Sequence, residues 1–97
     1  MKVRWTGRGV RVRLDDLEVD MLLRRQPLEL RLGWAGGGWS VRLDPLQDGG
    51  VHAHGGALTV GLAAQLEDLL NPLNEGVSVP GAVEVRIEKD FGPQHLA

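Results

Sequence analysis

Residues Val10-Arg11-Val12-Arg13-Leu14 alternate apolar and basic side chains and lead directly into a helical pattern. Leu58-Thr59-Val60-Gly61-Leu62 alternates in the same way and also leads into a helical pattern. This period of two is typical of a strand with one buried face and one solvated face. The repeat of this order predicts a duplicated unit of strand, strand, helix, strand and strand, whose second copy starts near residue 50.

Other segments fill out the two copies. Alternation also predicts strands at residues 28–32, 39–43 and 83–88, with weaker candidates at 1–5, 51–54 and 77–79. Clusters of glycine and proline separate them as turns. We therefore expect a single α+β domain over residues 1–90, mainly antiparallel β, with about eight short strands and two short helices. The duplicated ββαββ arrangement can close into a small barrel, and residues 91–97 are predicted to be a loose tail.

The two helices are predicted at about residues 15–25 and 63–70. Asp15 is a suitable N-cap, and Glu18 stands three residues later as in a capping box. Pro27 ends the first helix and Asn71-Pro72 ends the second, because proline cannot continue a helix.

Composition bounds the class of protein. The chain has 97 residues, 42% of them apolar and 25% charged, as expected of one globular domain. It has no cysteine, which excludes disulfides, thiolate zinc sites and a cysteine nucleophile. It has no long apolar run and no signal-peptide pattern, so we expect a cytoplasmic protein that does not enter a membrane.

Two stretches carry a family resemblance. Gly9–Leu14 leading into an acidic helix start, and Ile87-Glu88-Lys89-Asp90-Phe91, resemble an uncharacterised family of short bacterial proteins. The resemblance implies a cytoplasmic domain of unknown function and supplies no catalytic residues. The family often continues past its Asp-Phe with a cysteine and an acidic tail, which this chain lacks. The element order alone is also similar to the swapped-hairpin fold of AbrB-type DNA-binding proteins.

Charge is divided unevenly along the chain. Residues 1–43 carry nine Lys/Arg and five Asp/Glu, a net of +4, whereas residues 44–97 carry two and eight, a net of −6. Such a division either marks an interaction surface or pairs one half with the other inside a monomer or dimer.

Five arginines are predicted on solvated strand faces. If the first four strands are neighbours, these side chains form one basic face, suited to phosphate or carboxylate and a candidate anion or nucleic-acid site. The five residues are Arg4, Arg11, Arg13, Arg31 and Arg42. The acidic net charge and the scarcity of lysine and aromatic residues favour a solvated sheet face instead.

Two histidines suggest a metal site. His52 and His54 are two residues apart on a predicted strand and so share one face, as paired zinc, copper or nickel ligands do. A third ligand is needed, for which Asp48 and His95 are the candidates. An exposed pair on a hairpin is the preferred interpretation.

The acidic pairs are better explained without catalysis, by helix capping, a solvated helix face and solubility. These pairs are Asp15-Asp16, Glu67-Asp68, and Glu88 with Asp90. No serine lies in a nucleophile elbow and no glycine cluster forms a phosphate loop. The sequence thus predicts no catalytic, cofactor-binding or metal-ligating residues and no cofactor.

The leading interpretation is a non-enzymatic binding or protein-interaction module that self-associates, in the simplest case as a homodimer. One alternative is a nucleic-acid-binding domain that uses the arginine face. A second is a small metal-binding protein or enzyme.

Overall fold

Eight strands and two short helices follow one another in the predicted order in the computed structural model, which describes residues 1–89. The predicted tail and Asp90 lie outside the described residues. The strands and helices are β1 (Lys2–Thr6), β2 (Gly9–Leu14), α1 (Asp16–Leu23), β3 (Leu28–Trp34), β4 (Gly37–Asp44), β5 (Val51–His54), β6 (Ala57–Gly61), α2 (Leu66–Leu70), β7 (Gly76–Val79) and β8 (Glu84–Lys89).

The strands form two four-stranded sheets. Sheet A has the order β1-β2-β8-β7 and sheet B the order β3-β4-β6-β5. Each sheet joins an antiparallel hairpin from the first half of the chain to one from the second half, and the two hairpins meet in a parallel pair. The two halves therefore exchange hairpins. The predicted α+β class is confirmed, but a closed barrel is not formed, because the sheets remain separate except at one bridge described below.

The registers confirm the duplication. Val3 pairs with Val12 in β1 and β2, and 48 residues later Val51 pairs with Val60 in β5 and β6. The parallel pairs match as well, since Ile87 lies beside Val12 and Leu43 lies beside Val60. The two halves thus share one pattern of strand pairing.

The core lies between the inner faces of the two sheets and is closed by the helices. Alternate residues of the central strands point inward, as the period of two predicts. The side chains with no exposed surface include Val12 and Ile87 from sheet A, Leu43 and Val60 from sheet B, Leu22 from α1 and Leu69 from α2.

Helix α1 has the predicted start. The Asp15 carboxylate accepts from the Glu18 N–H at 2.8 Å, and the Glu18 carboxylate accepts from the Asp15 N–H at 3.0 Å. This reciprocal capping box satisfies two N–H groups that the helix leaves without a carbonyl partner. Helix α2 is shorter than predicted because residues 63–65 form a turn rather than a helical start, and Gln65 provides no side-chain cap.

Helix α1 ends in a Schellman motif. The Gln26 N–H donates to the Met21 carbonyl and the Arg25 N–H to the Leu22 carbonyl, both at 2.9 Å. Arg25 has a φ of 64°, the left-handed conformation that this motif requires. The helix therefore ends at Leu23, two residues earlier than predicted.

We expect Arg25→Gly to stabilise the protein by about 1 kcal/mol, because glycine adopts the left-handed conformation without the Cβ clash. Urea denaturation followed by circular dichroism measures this change. The exposed Arg24→Gly substitution is the control and should destabilise, since Arg24 has a φ of −84°. Equal effects of the two substitutions would contradict the prediction.

Candidate interaction surface

On one side of the molecule the two sheets are joined. The Val51 N–H donates to the Pro80 carbonyl at 2.9 Å, and the Ala82 N–H donates to the Val51 carbonyl at 3.0 Å. These bonds form a bridge between Val51 and Gly81 that links β5 to the chain just after β7. We call this the closed seam.

Gly81 makes the closed seam possible. Its φ is 154°, and a Cβ at this position would overlap the backbone of Val51. Only glycine combines this conformation with so close a backbone approach.

On the other side the pseudo-equivalent strands are β1 and β3, and they are not joined. The pair Leu43–Leu28 of sheet B corresponds to the pair Ile87–Val77 of sheet A. Leu32, four residues after Leu28, therefore corresponds to Gly81, four residues after Val77. Leu32 thus carries a side chain at the position that corresponds to Gly81, where the backbone of Val51 is approached most closely. Within residues 1–89 no bridge links β1 to β3, and we call this side the open seam.

All three tryptophans of the chain lie at the open seam. Trp5 of β1 contacts Trp39 of β4 edge to face, with ring centroids 5.5 Å apart and an interplanar angle of 81°. Leu32 is the cross-strand partner of Trp39, and Trp34 follows on the same face of β3. The exposed fractions are 57% for Trp5, 56% for Trp34 and 53% for Leu32. We call Trp5, Leu32, Trp34 and Trp39 the tryptophan patch.

Strand β3 also has a free edge. In the part of the chain that the structure describes, β3 pairs with β4 alone. Its outer edge therefore presents N–H and carbonyl groups to an incoming strand. From Arg31 to Trp34 all four residues of β3 are exposed. The open seam thus combines large apolar side chains with an unpaired strand edge.

The five predicted arginines do not form one face. Arg4, Arg11 and Arg13 lie on the outer face of sheet A, whereas Arg31 and Arg42 lie on the outer face of sheet B. The first four strands do not lie side by side, because the hairpin exchange places β8 next to β2 and places β3 in the other sheet.

Acidic side chains neighbour three of these arginines. Arg11 contacts Glu88 at 2.6 Å, and this ion pair joins the basic first half of the chain to the acidic second half. On sheet B, Arg31 contacts Glu29 at 2.9 Å. Arg42 lies 4.0 Å from Asp44.

The other predicted groups are dispersed. His52 and His54 are exposed on β5, opposite Thr59 and Ala57. Among residues 1–89 no three His, Asp or Glu side chains are grouped to hold a metal ion, and His95 lies outside the described residues. Asp15 serves as the helix cap, and Glu67 and Asp68 are exposed on α2.

Lys89 is a buried cation that the sequence analysis missed. It continues the inward alternation of Val85 and Ile87 on β8, is 9% exposed, and donates from Nζ to the Asn71 carbonyl at 2.7 Å. Desolvation by burial lowers the pKa of Lys89. Its contact with the C-cap of α2 indicates a structural role.

The tryptophan patch was also missed. Its signal in the sequence is a pair of tryptophans that flank the glycine-rich turn of residues 35–38.

No protein-family model matches the chain, and neither a curated protein nor a solved structure matches it. Among the described residues, no helix is long and apolar enough to cross a membrane.

Proposed function

We propose that this protein is a non-enzymatic interaction module that self-associates through the open seam, with β3 of one copy pairing antiparallel to β3 of a second. One observation carries the proposal: the exposed tryptophan patch continues directly into an unpaired strand edge. Exposed strand edges are templates for pairing with another chain. A twofold contact uses the same edge on both copies.

The sequence of β3 is complementary to itself in this arrangement. If two copies of β3 pair antiparallel about Leu30, Glu29 lies opposite Arg31 of the second copy, on the outer face. Leu28 then lies opposite Leu32 of the second copy, on the inner face. Opposite charges and apolar side chains in direct cross-strand positions stabilise a sheet, so the five residues Leu28-Glu29-Leu30-Arg31-Leu32 favour a second copy over an unrelated partner.

The tryptophan patch supplies the apolar centre of such a contact. Trp5, Leu32 and Trp34 each expose more than half of their surface, on the order of 300–400 Å² together. Pairing two such patches buries roughly twice that area as the apolar centre of a contact, and the backbone of β3 adds its hydrogen bonds. A standard interface buries about 1,600 Å² in total, of which the two patches supply at most about half.

A charge swap tests the pairing. We expect Glu29→Arg and Arg31→Glu each to weaken self-association roughly tenfold or more, because each places two like-charged pairs directly opposite across the twofold contact. The double variant E29R/R31E restores opposite charges at both positions, so its dissociation constant should return to within about threefold of the original. Sedimentation equilibrium over a concentration series measures these constants.

The matched control is Glu84→Arg, an exposed glutamate on β8 of sheet A, which changes the charge equally but lies away from β3. It should leave the dissociation constant within about threefold of the original, since charges outside a contact act only through screened long-range forces. A protein that stays monomeric at high micromolar concentration, or a double variant as weak as the single ones, would overturn the proposal.

A further inference from the structure

The β1–β2 hairpin is unusually basic. Residues 1–14 contain five cationic side chains and no aspartate or glutamate: Lys2, Arg4, Arg8, Arg11 and Arg13. Four of them face outward from sheet A as two cross-strand pairs, Lys2 with Arg13 and Arg4 with Arg11. Like charges in direct cross-strand positions repel each other and destabilise a hairpin, so this arrangement stores repulsion that an anion would relieve.

Among residues 1–89, an acidic side chain relieves that repulsion at Arg11. Glu88 contacts Arg11 at 2.6 Å and lies 3.9 Å from Arg86, so one carboxylate serves both guanidinium groups. Among residues 1–89 neither Arg4 nor Arg13 forms an ion pair. Three arginines elsewhere on the surface each have an acidic neighbour close by in the sequence. The pairs are Arg24 with Asp20, Arg31 with Glu29, and Arg42 with Asp44.

The same side chains line a groove. A surface groove of about 320 Å³ is bounded by Lys2, Val3, Arg4, Arg11 and Arg13. Neighbouring positions in this array are about 5 Å apart across the strands and about 7 Å apart along them. Arginine guanidinium groups present fixed forks of N–H donors that match phosphate oxygens.

We propose that this groove binds a phosphate polyanion, with Arg4, Arg11 and Arg13 contacting successive phosphate groups. Nucleic-acid backbone and free polyphosphate are the two sources of this chemistry. The groove lies on the outer face of sheet A, whereas the proposed self-association uses β3 of sheet B, so either proposal can fail without the other.

Fluorescence anisotropy with a labelled single-stranded oligonucleotide, and competition with inorganic tripolyphosphate, tests the site in the full-length protein. At low salt we expect binding whose logarithmic affinity falls with the logarithm of salt at a slope of about −2 to −3, from roughly 0.7 per phosphate contact. The double variant Arg4→Ser/Arg13→Ser should lose at least about tenfold in affinity and flatten the slope by about 1.4.

The matched control is Arg24→Ser/Arg42→Ser, which removes the same charge outside the groove and should bind within about twofold of the original protein. Tighter binding of the oligonucleotide than of tripolyphosphate assigns the site to nucleic-acid backbone, and the reverse assigns it to free polyphosphate. Equal losses in the two double variants, or binding of neither probe at low salt, would overturn the proposal.

A thermal melt of Arg4→Ser/Arg13→Ser should show no loss of stability, because the substitutions remove repulsion from exposed positions.

Discussion

We expect Gly81→Ala to lower the free energy of unfolding by about 3 kcal/mol. Alanine at this position is strained by a φ of 154°, and its Cβ overlaps the backbone of Val51. Backbone strain of this kind costs about 1–3 kcal/mol, and a forced displacement in a packed region adds a similar amount. The bonds from Val51 to Pro80 and Ala82 then lengthen or break, which opens the closed seam. Urea denaturation measures the loss as a lower midpoint.

Gly33→Ala is the matched control at the open seam. Gly33 lies in β3 next to Leu32, but a Cβ there meets nothing within 4 Å and its backbone needs no positive φ. We expect a change within about 0.5 kcal/mol, as at ordinary surface positions. Hydrogen exchange at the Val51 and Ala82 amides should accelerate in Gly81→Ala and stay unchanged in Gly33→Ala. Equal losses of stability would show that the closed seam does not depend on Gly81.

We expect that cutting the chain between Asp48 and Gly49 abolishes cooperative folding of each separated half, which is the largest effect that the topology predicts. Each sheet contains one hairpin from each half, and among residues 1–89 the two hairpins pair through β2–β8 in one sheet and β4–β6 in the other. An isolated two-stranded hairpin is marginally stable at best in water. Circular dichroism of residues 1–48 and 49–97, studied separately, should therefore show no cooperative unfolding transition.

Mixing the two halves in equal amounts should restore the strand signal and a cooperative transition, because all six strand pairings can form again. The control is residues 1–48 alone at the same total concentration, which supplies β2 and β4 but neither β8 nor β6. A single half that unfolds cooperatively as a monomer would contradict the exchange of hairpins.

Local elements could be predicted from the sequence because their causes are local. Alternation identified the strands, Asp15 and Glu18 identified the start of α1, and glycine clusters identified the turns. The register of the duplication is also local in origin, since Val12 and Val60 occupy the same place in similar stretches.

Strand pairing between the halves could not be predicted in the same way. The prediction of one arginine face assumed that consecutive hairpins are neighbours, which places Arg13 near Arg42. The structure instead pairs Arg13 with Glu88, 75 residues later. Nothing in the pattern of β2 distinguishes β8 from β4 as its parallel neighbour, because both present the same inward apolar alternation.

The candidate surface could be predicted only in part. The charge alternation of β3 is visible in the sequence, but the difference between a strand with a free edge and one in the middle of a sheet is a property of the fold. The alternation of residues 28–32 predicts that Leu32 is buried in the core, but its side chain is more than half exposed. Leu32 is exposed because it lies at the open seam. The closed seam has Gly81 at the corresponding position.

If the protein self-associates through the open seam as proposed, the difference between the two seams limits how far assembly proceeds. In a symmetric dimer of identical half-chains, both seams would have the same structure. If both were open, each dimer would have two association surfaces and could extend into a filament. Because the two halves are parts of one polypeptide, corresponding positions can differ between them, as Gly81 and Leu32 do. One seam is then closed, and one remains for association. Under the proposed pairing, growth through the open seam would then terminate at two molecules.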